Sequence, residues 1–315
     1  MRLQRTYSLK KVKGRMMTMS KAENVLIIDA FNLAHRAQHK FNLSTATGTR
    51  SGVAYGFIYI LSSMVKRFSP NRVITVFDGG RAQFRKDLLP DYKARENTLG
   101  DEREHFMSQI KDLEEYLPYL NTHVYYADGV EADDAIAAMV LSSRGINITL
   151  VSSDKDFIPL LGPRFKIFNP FKNKLISTIN VKKEYGFDES EFLDFLILDG
   201  DKSDHIPGVF GLGPKRIRAF LDTYGSIENF LDSNATGPFE DYRDAIEEVY
   251  IRNKRLIDLR YSSRKLFGVK RGKIIVFQVS TGTFDLDKLK PFLHKYQLNK
   301  FRRDGFLDTF KNISR

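Results

Sequence analysis

The sequence predicts an α/β fold: a doubly wound, mostly parallel sheet with a helical arch, followed by a helical region that carries a helix–hairpin–helix. Three observations lead there. Short apolar runs alternate with helix-period stretches up to about residue 180. Those runs end at or near acids, namely Asp29, Asp78 and the Asp154/Asp156 pair. Beyond 180 the strand signals fade, and a Gly/Pro-rich loop at 206–214 opens a basic helix.

Taken in order, Val25–Ile28 before Asp29 is a continuous apolar run that suits a strand buried on both faces. Residues 53–68 read as a helix, with Tyr55, Ile58, Ile60 and Leu61 giving it apolar surface. Arg72–Phe77 is a second strand, ending at Asp78. Residues 102–117 read as a helix because Phe106, Ile110, Leu113 and Leu117 recur at helical spacing. His123–Tyr126 is a third strand, Glu131–Ser143 an Ala-rich helix that stops near Gly145, and Ile148–Ser152 a fourth strand. Farther on, Ile274–Val279 reads as a strand and 286–298 as a helix. No internal repeat is visible. The expected division is 1–20 as a basic, disordered extension, 21–180 as the α/β domain with its arch at about 81–117, 181–250 as the helical hairpin region, and 251–315 as a basic region of unassigned role.

The chain of 315 residues has room for two domains, or one with an appendage. It contains no Cys, which excludes disulfides, zinc–thiolate sites, iron–sulfur clusters and thiol nucleophiles and is compatible with a cytoplasmic setting. No apolar run approaches the roughly 18–20 residues of a transmembrane helix, so no membrane association is expected. Fifty Lys and Arg against 39 Asp and Glu give a net charge of +11. The first 20 residues hold six basic residues and no acid, and 251–315 hold 17 basic and five acidic residues. The middle holds 34 acids against 27 basic residues. A basic whole points to a polyanionic partner. The acidic middle says that carboxylates are gathered for another purpose. The first 20 residues lack the apolar stretch of a secretory signal; a basic arm on nucleic acid is the preferred reading, a transit peptide or a later start at Met16, Met17 or Met19 the alternatives.

Open parallel sheets bind ligands beyond the carboxyl ends of their strands. Asp29, Asp78, Asp154 and Asp156 fall there, joined by Glu131, Asp133 and Asp134 at a helix start and by Asp201 and Asp204 farther on. Crowded carboxylates repel and raise one another's pKa, and divalent cations relieve this. Oxygen donors without His or Cys suit two Mg2+ or Mn2+ ions, and such a pair can clamp a phosphodiester. Each acid also has an ordinary reading: Glu131, Asp133 and Asp134 as helix caps, Asp29 as a turn former, Asp201 and Asp204 as a turn before a helix. All of them together at one edge is a stronger pattern than any one.

In the loop, Gly208, Gly211 and Gly213 permit close backbone approach or positive φ, and Lys215, Arg216 and Arg218 lie on the first turn of the next helix. The arrangement fits a grip on phosphates that does not read sequence. Between Asp78 and Glu131, the cations Arg81, Arg85, Lys86, Lys93 and Arg95 surround Tyr92. They read either as a solvated face or as a mobile arch in which Tyr92 stacks on a base. Tyr55 could stack likewise or belong to the core.

These residues resemble the 5′-nuclease (flap endonuclease, 5′→3′ exonuclease) superfamily, including the nuclease domain of bacterial DNA polymerase I and the phage 5′ exonucleases. The motifs are Leu26–Asn32, Val76–Asp78, Gly129–Asp134, Ser152–Asp156, and Gly200–Asp204 followed by Ile206–Lys215, in the family's order. Residues 105–180 are most similar to the T4-type phage ribonuclease H group. The resemblance implies a PIN-like core, a first metal at Asp29, Asp78, Glu131, Asp133 and Asp134, and a second at Asp154, Asp156, Asp201 and Asp204. It implies that Lys93 is the arch lysine at the scissile phosphate, that the hairpin holds duplex and, in several members, a cation such as K+, and that all these acids serve catalysis. The implied activity is metal-dependent hydrolysis at 5′ ends, flaps and RNA primers on duplex DNA during replication, phage replication foremost, by a monomer. A single-stranded-DNA-binding protein or sliding clamp are the protein partners considered for 251–315. A PIN-type ribonuclease and a non-catalytic DNA-structure-binding protein are the rivals.

Overall fold

The computed structural model describes residues 23–94, 100–234, 236–269, 280–302 and 305–313. The expected 1–20 extension, Arg95 and the strand at Ile274–Val279 lie outside them. Six strands form the main sheet: β1 (Asn24–Asp29), β2 (Arg72–Val76), β3 (His123–Tyr125), β4 (Asn147–Val151), β5 (Phe165–Asn169) and β6 (Lys174–Ile176). Their order is β3-β2-β1-β4-β5-β6, parallel except for β6. The sequence reading found the first four; β5 and β6 are additional.

Alternate side chains of β1 enter opposite cores, as a pleated strand requires. Leu26 and Ile28 face α1 (Ala30–Lys40), α2 (Gly52–Phe68) and α4 (Gly100–Tyr116), the last reached after the short α3 (Gln83–Leu88). Val25 and Ile27 face α5 (Ala132–Ser142). Beyond the sheet come α6 (Val181–Tyr185), α7 (Phe192–Asp199), a two-stranded ribbon of β7 (Gly200–Asp201) and β8 (Ile206–Pro207), α8 (Pro214–Tyr224), α9 (Ile227–Asp232), α10 (Arg243–Ile257) and α11 (Leu259–Phe267). Buried residues of α7 to α11 continue the α5 core.

The expected boundary at 250 falls inside α10, which runs unbroken across it. The described part of 251–315, left without a role by the sequence, is packed into the fold. Its α12 (Leu286–Lys295) and the turns to Ile313 bury Leu289, Phe292, Phe301 and Phe310 in the core of α1, α2 and α4. Tyr55 is half-buried and packs against that core. Its ring stacks on Tyr59 at 6.0 Å and on Phe301 at 5.1 Å, so it is a packing residue and not a base platform.

Candidate active site

The chain leaves β1 for β2 and β3 on one side, then returns to place β4 on the other. A crevice beyond the carboxyl ends of β1 and β4 follows from that reversal. Hydrogen bonds stitch its two lips. Asp29 ends β1 and caps α1 by accepting from Asn32 N at 3.2 Å. Ser152, just past β4, donates to Asp29 Oδ2 at 2.8 Å. Asn32 Oδ1 accepts from both Ser153 N and Ser153 Oγ at 3.0 Å. Asp154 Oδ1 accepts from Asp156 N at 2.9 Å and turns the chain into a short 3-10 segment. The sequence motifs include Asn32 and Ser152 but gave them no role; their signal was position alone, a polar side chain within three residues of the end of a central strand.

Asp78 lies two residues past β2, and its Oδ1 accepts from Ala132 N at 2.8 Å. The cap of α5 thus comes from another segment. Glu131, at the N-cap position, makes no side-chain cap bond. This fixes the positive end of the α5 dipole at the crevice. Asp133 is half-buried and accepts no hydrogen bond among the described residues. Asp134, about 100° farther round the helix, faces inward and is fully buried. Arg85 grips it with both terminal nitrogens at 2.7 Å. Asp134 is therefore a structural ion pair, not a member of the crevice set the sequence suggested.

The expected arch is anchored at its first foot rather than free. Arg85 is 2% exposed and also donates from Nε to Leu256 O on α10 at 2.9 Å. Tyr92 is 3% exposed and donates to Glu131 Oε2 at 2.9 Å, so it cannot stack on a base. Glu131 further accepts from Ala82 N and Arg85 at 3.2 Å and from Lys93 Nζ at 2.6 Å. Both its oxygens are engaged. Of the other arch cations, Arg81 is half-buried, Lys86 is exposed, and neither has an ion-pair partner among the described residues. Lys93 reaches the carboxylates: its Nζ is 3.5 Å from Asp204, and its backbone N donates to Asp204 O at 3.0 Å.

Electrostatics separate two groups of acids. Burial first, then Asp78 and Asp154, push Asp29 up to about 7. Burial and Asp154 raise Asp133 well above the usual carboxylate range; burial, Asp154 and Asp201 do the same to Asp156. Asp78, Asp154 and Asp204 are raised mainly by burial. Glu131, despite burial, is held below its usual value by Arg85 and Lys93. Lys93 in turn is raised, because Asp133 and Glu131 outweigh its desolvation. Lys93, Lys155 and Arg85 are too few cations for so many acids, which stay under-neutralised. Asp156 Oδ1 is buried without any hydrogen-bond partner. Among the described residues no three carboxylates already converge as a finished metal shell. The donor set is nevertheless all oxygen, mutually destabilised and includes that orphaned atom, which fits a hard divalent cation.

A pH dependence follows. An acid whose folded pKa is raised holds its proton longer in the folded state, so its contribution is full below pH 4 and is lost as pH rises through the folded value. With EDTA present, the melting temperature should fall between about pH 5 and pH 8. Glu131, shifted the other way, acts only below its ordinary range; His123, lowered by burial, opposes the fall below about pH 6.5 but is a single group against several acids. A melting temperature that climbs across that interval contradicts the crowding of these carboxylates.

Asp201 and Asp204 approach from the helical region. Asp201 Oδ1 accepts from Ser203 N at 2.8 Å and Asp204 N at 3.3 Å, which closes a tight turn beside the crevice. The following loop joins α7 to α8. A Cβ on Gly208 would lie 2.3 Å from Leu198 O, so only glycine allows this approach. Gly211 takes φ +83°. Gly213 needs neither freedom: its φ is −85° and a Cβ would meet nothing. Asn253, fully buried on α10, donates to Ile197 O at 2.9 Å and Pro207 O at 3.0 Å and so braces the loop, a role the sequence did not reveal. Lys215 is exposed and has no ion-pair partner among the described residues. Arg216 donates to Gly211 O at 3.0 Å and to Tyr242 OH at 2.8 Å. Arg218 is committed to Glu191 and Asp222, each at 2.7 Å, so it is a brace rather than a phosphate ligand.

A doubly wound sheet with a carboxylate crevice at its switch point, beside a glycine-rich helical hairpin, is the 5′-nuclease class of fold. The profile of the 5′–3′ exonuclease N-terminal resolvase-like domain matches residues 24–186, more than half of the chain. The chain belongs to the 5′–3′ exonuclease family. The 5′–3′ exonuclease of Aquifex aeolicus is 27% identical over 285 residues, covering 90% of this chain and 95% of that one. That of Buchnera aphidicola from Acyrthosiphon pisum is 29% identical over 253 residues, with coverage of 79% and 84%. Among solved structures, the zinc-bound 5′-exonuclease of bacteriophage T5 superposes with a TM-score of 0.66 at 24% identity, covering 87% of this chain and 98% of that one. The catalytic core of Rad2 in complex with DNA substrate gives 0.56 at 17%, with coverage of 92% and 93%. These two likenesses establish the fold. No helix of the described residues is long and apolar enough to cross a membrane.

Proposed function

We propose that the chain is a divalent-metal-dependent, structure-specific 5′ nuclease acting on duplex DNA with a 5′ end, a flap or an RNA primer. The observation that carries this is the crowd of raised-pKa carboxylates from separate segments at one switch point, with Asp156 Oδ1 unpartnered. Asp29, Asp78, Asp133, Asp154, Asp156, Asp201 and Asp204 are the residues that would hold two Mg2+ or Mn2+ ions. Glu131 joins them once Lys93 moves to substrate. The ions supply charge neutralisation and a route to activated water. The protein's own share is positional. Ser152 and Asn32 hold the lips of the crevice, Asp78 and the α5 N-terminus fix Asp133, and Lys93 offers a positive charge to the scissile phosphate. Lys215 and the free N–H groups at the start of α8 receive a backbone phosphate of the duplex, with K+ on the loop carbonyls as a further ligand. Arg81 and Lys86 are the arch cations left open to the strand. Phosphodiester hydrolysis then leaves short 5′-phosphorylated products.

The test is a 5′-labelled flap duplex incubated with Mg2+ or with EDTA, using wild type and Lys93→Ala. Wild type with Mg2+ should release short products, EDTA should stop release, and Lys93→Ala should slow it about 100-fold or more, the scale seen for a single charge-stabilising donor. Cleavage of single-stranded RNA without need of duplex would favour a PIN-type ribonuclease instead. Tight binding with the flap left intact would favour a purely structure-binding protein.

A further inference from the structure

Phe210 is 97% exposed, yet Val209 and Leu212 beside it are 5% and 4% exposed. The turn that presents it is closed: Leu212 N donates to Val209 O at 3.1 Å, and Gly211 follows with φ +83°. A positive φ at the third position is the mark of a type II turn, in which Phe210 takes the outward second position. Arg216 braces the same turn through Gly211 O and lies 4.9 Å from the Tyr242 ring centroid. Burying a phenylalanine is ordinarily favourable, a gain the fold forgoes at a firmly held place.

The surroundings say what meets the ring. Lys202, in the turn between β7 and β8, and Lys215, in the first turn of α8, stand on either side of it in sequence, both exposed and without ion-pair partners among the described residues. Their charge suits a polyanion, and the proposed reading puts a duplex backbone there. In a paired duplex the bases are stacked inside. What the backbone side offers an apolar ring is the sugar next to the gripped phosphate. Deoxyribose presents only C–H groups at C2′. Ribose presents a hydroxyl there, which a phenyl ring covers without a hydrogen bond.

The geometry points to Phe210 as a sugar-discriminating contact: it packs on deoxyribose in the duplex strand held by the α7–α8 loop and disfavours ribose in that strand. This rests on the reading of the loop as a duplex grip. It confines any RNA in the substrate to the other strand.

Fluorescence anisotropy in EDTA tests it, with a DNA duplex and two hybrids that carry ribose in one strand or the other. The proteins are wild type, Phe210→Ser, Phe210→Leu and Lys215→Ala, each checked for an unchanged melting temperature. Wild type should bind the DNA duplex about 5–20-fold tighter than one of the hybrids, the scale of one apolar sugar or base contact. Phe210→Ser should lose about as much affinity for DNA and most of that preference, with the salt dependence unchanged. Phe210→Leu should keep part of both. Lys215→Ala should weaken all duplexes alike and reduce the salt slope by about one. If Phe210→Ser binds every duplex as wild type does while Lys215→Ala is weakened, the sugar contact is refuted. If neither variant is weakened, the duplex grip itself fails.

Discussion

Asp133→Asn is expected to abolish cleavage while raising the melting temperature of the metal-free protein. Both effects come from the same carboxylate. Asp133 is raised well above the usual carboxylate range by burial and by Asp154, Asp29 and Asp78 around it. Among the described residues it accepts no hydrogen bond that an amide would lose. Removing its charge relieves repulsion in the folded state, so at pH 8 in EDTA the variant should melt higher, by about 1–2 °C for a gain near 1 kcal/mol. With the flap substrate and Mg2+, loss of a ligand worth several kcal/mol of transition-state stabilisation should reduce the rate about 1,000-fold or more. Wild type should also gain more stability from Mg2+ than the variant does. Calorimetry and a gel assay decide this, and a variant that cuts normally removes Asp133 from the active site.

The second large effect lies outside the crevice. Arg85→Met should destabilise the protein by about 3–5 kcal/mol, because it strands the buried charge of Asp134. Arg85 ties α3 to α5 and, through Leu256 O, to α10, so the loss spans three elements. Pairing it with Asp134→Leu should restore most of the stability, since well-packed apolar groups replace a buried ion pair at little cost. The double variant also reports on chemistry. If Asp134 is the structural partner its geometry indicates, the refolded double variant still cleaves. Recovery of stability without cleavage would return Asp134 to the ligand set.

That pair shows where sequence suffices and where it does not. β1, β2 and β4 were legible because a strand buried on both faces is a continuous apolar run. β5 was not, because Lys166 interrupts it, and β6 is only three residues long. The acids were legible as a set, since each sits at a strand end or helix start. Which acid points into the crevice was not, because Asp133 and Asp134 differ only by one helical step. A signal existed: Asp134 shares its helix stripe with Ala137 and Ala138, both fully buried. For Arg85 and Tyr92 the sequence showed charge and an aromatic ring. It could not show that Glu131 and Asp134, 39 to 49 positions away, would draw them inside. Phe210 went unnoticed because a single apolar residue in a Gly-rich loop carries no periodicity.

The return of α12 and the turns after it onto α2 has a kinetic meaning. Ala46 N donates to Gln297 Oε1 across 251 positions, and Phe301 and Phe310 complete the core that Leu26 and Ile28 begin. During synthesis the sheet can form its β1–β4 centre early, but that face stays open until residues 289–313 have emerged. Contacts so distant in sequence are slow to find one another. The nascent chain should therefore expose a partly finished apolar face until those last residues have emerged.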